Sequence, residues 1–155
     1  DLPEDYDLWL RLVQAGYGLA AVKDVVVRIR DRPGRLTRTD RRYRRSAFDD
    51  VKKEWLSAGP LEKPRRMAVW GAGRTGRRWL RWLLQSGHKV VAVVDPFCST
   101  ERQGVSVVPP EALSELDVDH LLVAVGARGA RQSIRDLVCG LRPEWLEGHD
   151  WWAVA

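Results

Sequence analysis

The sequence predicts an α/β protein: a parallel sheet with helices on both faces, preceded by a smaller α+β piece. Three observations predict it. Residues 67–70, 90–94 and 121–125 are short runs that are apolar throughout, which suits strands buried on both faces. Amphipathic helical patterns separate those runs, the order expected of βαβ units. A stretch over 57–66 holds two Pro and one Gly and lacks apolar periodicity, so it divides the chain into 1–56, a linker, and 67–155.

In the first piece, Tyr6, Trp9, Leu10 and Val13 recur at helical spacing. Glu4 and Asp5 suit the positive end of that helix, and Gly16 suits its end. Val25, Val27 and Ile29 alternate with Val26, Arg28 and Arg30, which predicts a strand. Asp31-Arg32-Pro33-Gly34 predicts a turn. A second helix is expected over 40–56, with Tyr43, Ala47, Val51 and Trp55 four apart and Phe48 beside them.

In the second piece, a glycine turn at 71–76 follows the first strand. A helix over 75–86 carries Trp79, Leu80, Leu83 and Leu84 on one face, and Gly87 ends it. The strand over 90–94 leads to Asp95-Pro96. Residues 104–108 read as extended, and a short helix over 110–116 starts with Pro and Glu. The strand over 121–125 runs into a second glycine turn, Gly126-Ala127-Arg128-Gly129, then a helix over 131–141. Residues 151–154 suit a last strand.

The charge does not point to nucleic acid. The chain of 155 residues has a net charge of +5, but residues 1–62 hold 13 basic and 11 acidic side chains and residues 63–155 hold 13 and 10. The excess is spread over both pieces. The dense run Arg38, Arg41, Arg42, Arg44 and Arg45 sits on an amphipathic helix and reads as a solvated face, with an anionic lipid or lipid-linked acceptor phosphate as the other reading. No apolar run reaches membrane-spanning length. Asp1-Leu2-Pro3-Glu4-Asp5 lacks the features of a leader, and the missing Met marks the chain as a piece of a longer protein. The expected setting is cytoplasmic, with a peripheral position at an inner membrane as an alternative. Cys98 and Cys139 form no CxxC pair, the three His are scattered, and no metal site is read.

Gly71-Ala72-Gly73-Arg74-Thr75-Gly76 is GxGxxG between a strand and a helix. The first Gly permits the tight turn, the second lets a phosphate approach, and the third lets helix and strand pack. Asp95 lies nineteen residues after Gly76, at the end of the next strand, the place of an acid that binds a ribose hydroxyl. Arg74 is a phosphate-pairing candidate. Gly126 and Arg128, with Arg131 beyond them, lie at the same sheet edge, where open α/β sheets bind ligands.

Two resemblances follow. Residues 67–141, through the glycine turn, Gly104-Val105-Ser106-Val107-Val108 and Val123-Ala124-Val125-Gly126, resemble the N-terminal Rossmann-like domain of bacterial sugar acyltransferases. That resemblance implies nucleotide or nucleotide-sugar binding through Gly71, Gly73, Gly76 and Asp95; the hexapeptide repeats of those enzymes are absent. Residues 1–56, through Glu4-Asp5-Tyr6-Asp7-Leu8-Trp9, Ala15-Gly16-Tyr17, Val27-Arg28-Ile29-Arg30 and Pro33-Gly34-Arg35-Leu36-Thr37, resemble the C-terminal portion of family 2 GT-A glycosyltransferases. That resemblance implies Asp5 as general base on an acceptor hydroxyl, with Glu4 second, in surface polysaccharide synthesis. Arg32 stands where the family often has a metal-holding His. The family's donor-binding units and Asp-x-Asp metal motif lie upstream of this portion, so a divalent metal belongs to the full-length transferase, and the 155 residues alone are expected to be inactive. Asp117-Val118-Asp119 falls in the other piece and reads as surface.

The expected partners are a nucleotide sugar and a glycan or lipid-linked acceptor, with a homodimer as one way to cover the first piece. The alternatives are a non-catalytic module sensing a dinucleotide or nucleotide sugar, and a fragment of an NAD(P)-dependent oxidoreductase. The last is disfavoured because no Tyr-x-x-x-Lys pair follows the glycine turn. Eight Trp against three Tyr and two Phe point to Trp-based packing, with Trp9, near Asp5, as a candidate for stacking on an acceptor sugar.

Overall fold

The computed structural model describes residues 3–155, so Asp1 and Leu2 of the N-terminal reading lie outside the described residues. The chain falls into two compact units, Asp1–Gly59 and Pro60–Ala155.

The first unit is helical. α1 (Glu4–Gln14) has Glu4, Asp5 and Asp7 in its first turn, where carboxylates offset the helix dipole. It closes in a Schellman motif: Tyr17 N–H donates to Leu12 O and Gly16 N–H to Val13 O, with Gly16 at φ +84°. The single helix expected over 40–56 is instead broken into α2 (Leu36–Thr39), a 3₁₀ turn at Arg41–Tyr43 and α3 (Arg45–Ala58). Asp40 is the cause. Its carboxylate accepts the Arg42 N–H at 2.8 Å and takes the Arg42 guanidinium as well, so the side chain competes with the helical ladder. Those bonds also hold the Asp40 pKa below the usual carboxylate value. α1 packs on α3, with the Tyr6 and Phe48 rings edge to face at 5.5 Å.

The strand expected at Val25–Arg30 does not form. Val25, Val26, Val27 and Ile29 lie in exposed chain without regular structure, because no described segment of this unit offers them a ladder partner. The first unit is therefore not α+β among its described residues. The expected turn does form, with Arg35 N–H on Arg32 O. α3 runs to Ala58, into the stretch read as linker, and Leu61 in that stretch is buried.

The second unit holds β1 (Arg66–Trp70), α4 (Arg74–Gln85), β2 (Lys89–Val94), β3 (Val107–Val108), a 3₁₀ turn at Pro110–Ser114, β4 (His120–Val123), α5 (Ala130–Leu141) and β5 (Trp151–Ala153). All strand pairs are parallel, in the order β3-β2-β1-β4-β5. From β1 the chain builds outward through α4 to β2, then returns across β1 to β4. Right-handed crossovers in opposite directions place α4 and α5 on opposite faces. Trp79, Leu80 and Leu83 of α4 are buried on one side. On the other, Ile134 and Val138 of α5 join Trp70, Leu113, Leu121, Trp145 and Trp151 in one cluster. Leu84, expected on the core face, is 39% exposed; it sits at the edge of the apolar stripe. α4 also closes in a Schellman motif, through His88 N–H to Leu83 O and Gly87 N–H to Leu84 O.

Candidate functional site

The order reversal lies between β2 and β4, on either side of β1. The crevice at the carboxyl ends of these strands is where open α/β sheets bind ligands. The Gly71–Gly76 turn occupies it. Gly71 N–H donates to Val94 O at 2.8 Å, and Ala124 N–H donates to Trp70 O at 2.8 Å, so the turn is tied to the strand ends on both sides.

The three glycines have separate physical reasons. Gly71 sits at φ +114°, and a Cβ there would meet Val125 Cγ2 at 2.9 Å. A Cβ on Gly76 would lie 1.6 Å from Gly71 O, so only hydrogen fits where α4 crosses the turn. Gly73 has neither constraint. Its φ is −73°, and a Cβ there would meet nothing within 4 Å. It caps α4 without a side-chain hydrogen bond, and among the described residues nothing receives the N–H groups of Gly73, Arg74 or Thr75. Open space beside free N–H donors at a helix N-terminus has the chemistry that suits an anion.

Asp95 stands where the sequence put it, half-buried after β2. Its Oδ2 accepts Ala72 N–H at 2.7 Å and its Oδ1 accepts Phe97 N–H at 2.9 Å. Each oxygen keeps a lone pair for a further donor. Arg102, which sequence reasoning missed, braces the same turn from the β2–β3 loop: its Nε donates to Ala72 O at 3.2 Å. Its only sequence signal is position, a basic residue seven after the acid. Phe97, fully exposed on the same loop, was missed as well.

Gly126 and Arg128 lie exposed on the β4–α5 loop, directly after Val125, whose Cγ2 leaves no room for a Cβ on Gly71. Arg131, expected in the crevice, instead reaches Ala153 O and Ala155 O, so it ties the start of α5 to β5 and the residues after it. Arg74 is exposed at the start of α4. Asp117 pairs with Arg66 and Asp119 accepts the Arg66 N–H, at the opposite end of the sheet.

In the first unit, Glu4 and Asp5 separate in role. Glu4 Oε2 lies 3.3 Å from Arg42 Nη1, and Glu4 Oε1 takes the Tyr43 hydroxyl at 3.4 Å. Asp5 lines a cavity of about 650 Å³ with Arg30, Arg32, Arg35, Leu36 and Tyr43. Burial pushes the Tyr43 pKa up, and the Glu4 and Asp5 charges add to it, so the phenol stays protonated. Trp9 is half-exposed and lines a separate hollow with Tyr6 and Leu19. No group of His, Cys, Asp and Glu among the described residues is arranged to hold a metal. No helix of the described residues is long and apolar enough to cross a membrane.

No family model matches the chain, and no curated protein matches it. The glycosyltransferase and acyltransferase resemblances therefore rest on their sequence motifs alone. Two solved structures of similar fold are a crystal structure of RSP in complex with beta-NADH and one of RSP described as a Rex-family repressor. The first is 16% identical and the second 15%; each match covers 61% of this chain, and 50% and 49% of the respective RSP chains, at a TM-score of 0.45. The chain thus spans about half the length of these proteins, and the likeness is one of fold. With its parallel order β3-β2-β1-β4-β5 and its glycine turn at the reversal, Pro60–Ala155 is a Rossmann-like α/β unit.

Proposed function

We propose that the second unit is a dinucleotide-binding module that acts by holding its ligand, in the manner of a sensor. The observation that supports it best is Gly73, the one glycine of the turn that neither backbone conformation nor packing requires. A pyrophosphate would rest on the N–H groups of Gly73, Arg74 and Thr75, and a ribose hydroxyl would donate to Asp95. The groups around the turn are backbone donors, one carboxylate and guanidiniums. They suit binding and orientation more than proton or hydride transfer. A thermal-shift screen against NADH, NADPH and UDP-sugars tests the reading. A ligand at a hundredfold excess over its Kd stabilises by about 2.7 kcal/mol. Stabilisation by a dinucleotide is expected. No shift with either dinucleotide refutes the reading, and a shift with UDP-sugars alone replaces it with nucleotide-sugar binding.

A second reading concerns the first unit. We propose that Asp5 is the acceptor-side general base of a glycosyltransferase, because it lines an arginine-rich cavity while Glu4 is engaged by Arg42 and Tyr43. In the resembled family the donor site lies upstream, so the test belongs in the full-length protein. Asp5→Asn there should slow sugar transfer by about 10²–10⁴-fold with Glu4→Gln milder; an unchanged rate for Asp5→Asn refutes the assignment.

A further inference from the structure

Beside the glycine turn, α4 and the β2–β3 loop enclose a recess of about 520 Å³. Arg74, Arg77, Arg78 and Arg81 line it from α4, and Arg102 and Gln103 from the loop. The four helix arginines follow i, i+3, i+4, i+7 and so form one stripe on one face. Such a stripe weakens a helix: like charges at i, i+4 repel, and a cation in the first turn opposes the dipole. Glu101 is the one carboxylate of the lining. Among the described residues, Arg74, Arg77 and Arg81 have no ion-pair partner. Arg74, Arg77 and Arg81 are thus three positive charges on one face without an ion-pair partner among the described residues.

The recess adjoins the position of the ribose. Arg102 spans the two: its Nε is 3.2 Å from Ala72 O, and Ala72 N–H is the group that Asp95 Oδ2 accepts at 2.7 Å. Arg102 is also held by Thr100 O, Glu101 O and Cys98 Sγ, which fixes the loop against the turn. Gln103 Nε2 donates to Arg77 O at 2.9 Å and ties the loop to α4. Asp95 is committed to two backbone N–H groups, so the carboxylate that would repel an added phosphate is partly neutralised.

We propose that this recess receives a phosphate monoester on the adenosine ribose, which makes the ligand class the 2′-phosphorylated dinucleotide, NADP(H), rather than NAD(H). The inference rests on the dinucleotide reading above and names its ligand class. Guanidiniums suit the task, since they pair with phosphate oxygens through paired N–H donors.

The test is titration of the intact chain with NADPH, NADH, 2′,5′-ADP and 5′-AMP, followed by calorimetry at low and moderate salt. NADPH should bind at least about tenfold more tightly than NADH, a difference of about 1.4 kcal/mol. The preference should shrink as salt rises. Arg77→Gln with Arg81→Gln, both exposed and unpaired, should remove most of the preference and leave NADH affinity unchanged. Equal or tighter NADH binding overturns the inference while the dinucleotide reading stands. Loss of both ligands in equal measure in the double variant also overturns it. If neither dinucleotide binds, the dinucleotide reading fails, and 2′,5′-ADP decides the recess. Binding tighter than 5′-AMP keeps the recess as a phosphate-monoester site but overturns NADP(H) as its ligand, and binding no tighter overturns both.

Discussion

Substituting Gly73 and Gly76 separately should split binding from folding. A Cβ on Gly76 would sit 1.6 Å from Gly71 O and 2.7 Å from Gly71 C. Those are backbone atoms, so relief requires α4 or the turn to move. Overpacking of this kind costs about 3 kcal/mol, the upper end of the usual range. At roughly 4–8 °C per kcal/mol for a domain of this size, Gly76→Ala should lower the melting temperature by about 12–24 °C. Gly73→Ser should behave oppositely. Position 73 is the N-cap of α4 with extended backbone, φ −73° and ψ −172°, a conformation that serine favours. Its hydroxyl can accept an orphan N–H of the first turn, so stability should hold or rise by a few tenths of a kcal/mol. The same side chain fills the space through which a phosphate would approach, and dinucleotide affinity should fall at least about tenfold. Thermal melts read by the buried Trp70, Trp79 and Trp151, with calorimetric titration of NADPH and NADH, give both quantities. Wild-type affinity in Gly73→Ser would refute the role assigned to the second glycine. A wild-type melting temperature in Gly76→Ala would refute the packing argument.

Other outcomes follow from single residues. Asp95→Ala orphans the N–H of buried Ala72, which should cost about 1–3 kcal/mol in urea unfolding and weaken dinucleotide binding, with Asp95→Asn milder. Burial pushes the pKa of His88 and of His120 down, and the Arg65 charge adds to both, against Asp119 in the case of His120. Both imidazoles thus take up a proton at lower pH in the fold than in the unfolded chain, where histidine charges near pH 6.5, so their contribution should be level above about pH 7 and fall as pH drops below about 6.5. Urea midpoints at pH 7.5 and 5.5 should show a smaller acid loss for His88→Asn than for wild type, and an equal loss would count against it. Leu83→Ala should cost about 2–5 kcal/mol and Leu84→Ala under about 1, read by the same urea titration, because Leu83 is fully buried and Leu84 is not.

The second unit was largely legible because its signals are local. A strand buried on both faces writes itself as a continuous apolar run, and GxGxxG with a downstream acid fixes a turn and a carboxylate beside it within one βαβ unit. The strand order is a tertiary outcome, but few topologies are compatible with right-handed crossovers. The first unit was legible in α1 and in the turn at 31–34. Val25–Ile29 has strand alternation, but alternation names a face and not a partner, and no described segment of this unit pairs with it. Asp40 opened the helix expected over 40–56, and its capping of Arg42 depends on a side-chain conformation that spacing does not carry. Arg102 was missed for a similar reason: a loop arginine acquires meaning only once the loop folds back on Ala72.

The glycine turn is moored to β2 through Gly71 and Asp95 and to β4 through Trp70 and Ala124, before any ligand arrives. Ordering of the seat is therefore completed at folding, and ligand capture should proceed without a slow closure step. The mooring also separates two jobs in the chain. In the proposed phosphate seat, Gly71 and Gly76 change only at the expense of the fold, whereas Gly73 is free to change without it. The loops at 97–103 and 126–129 flank it, and Arg102 of the first braces it. Ligand preference can drift through substitutions in those two loops, while the anion seat between them stays the same.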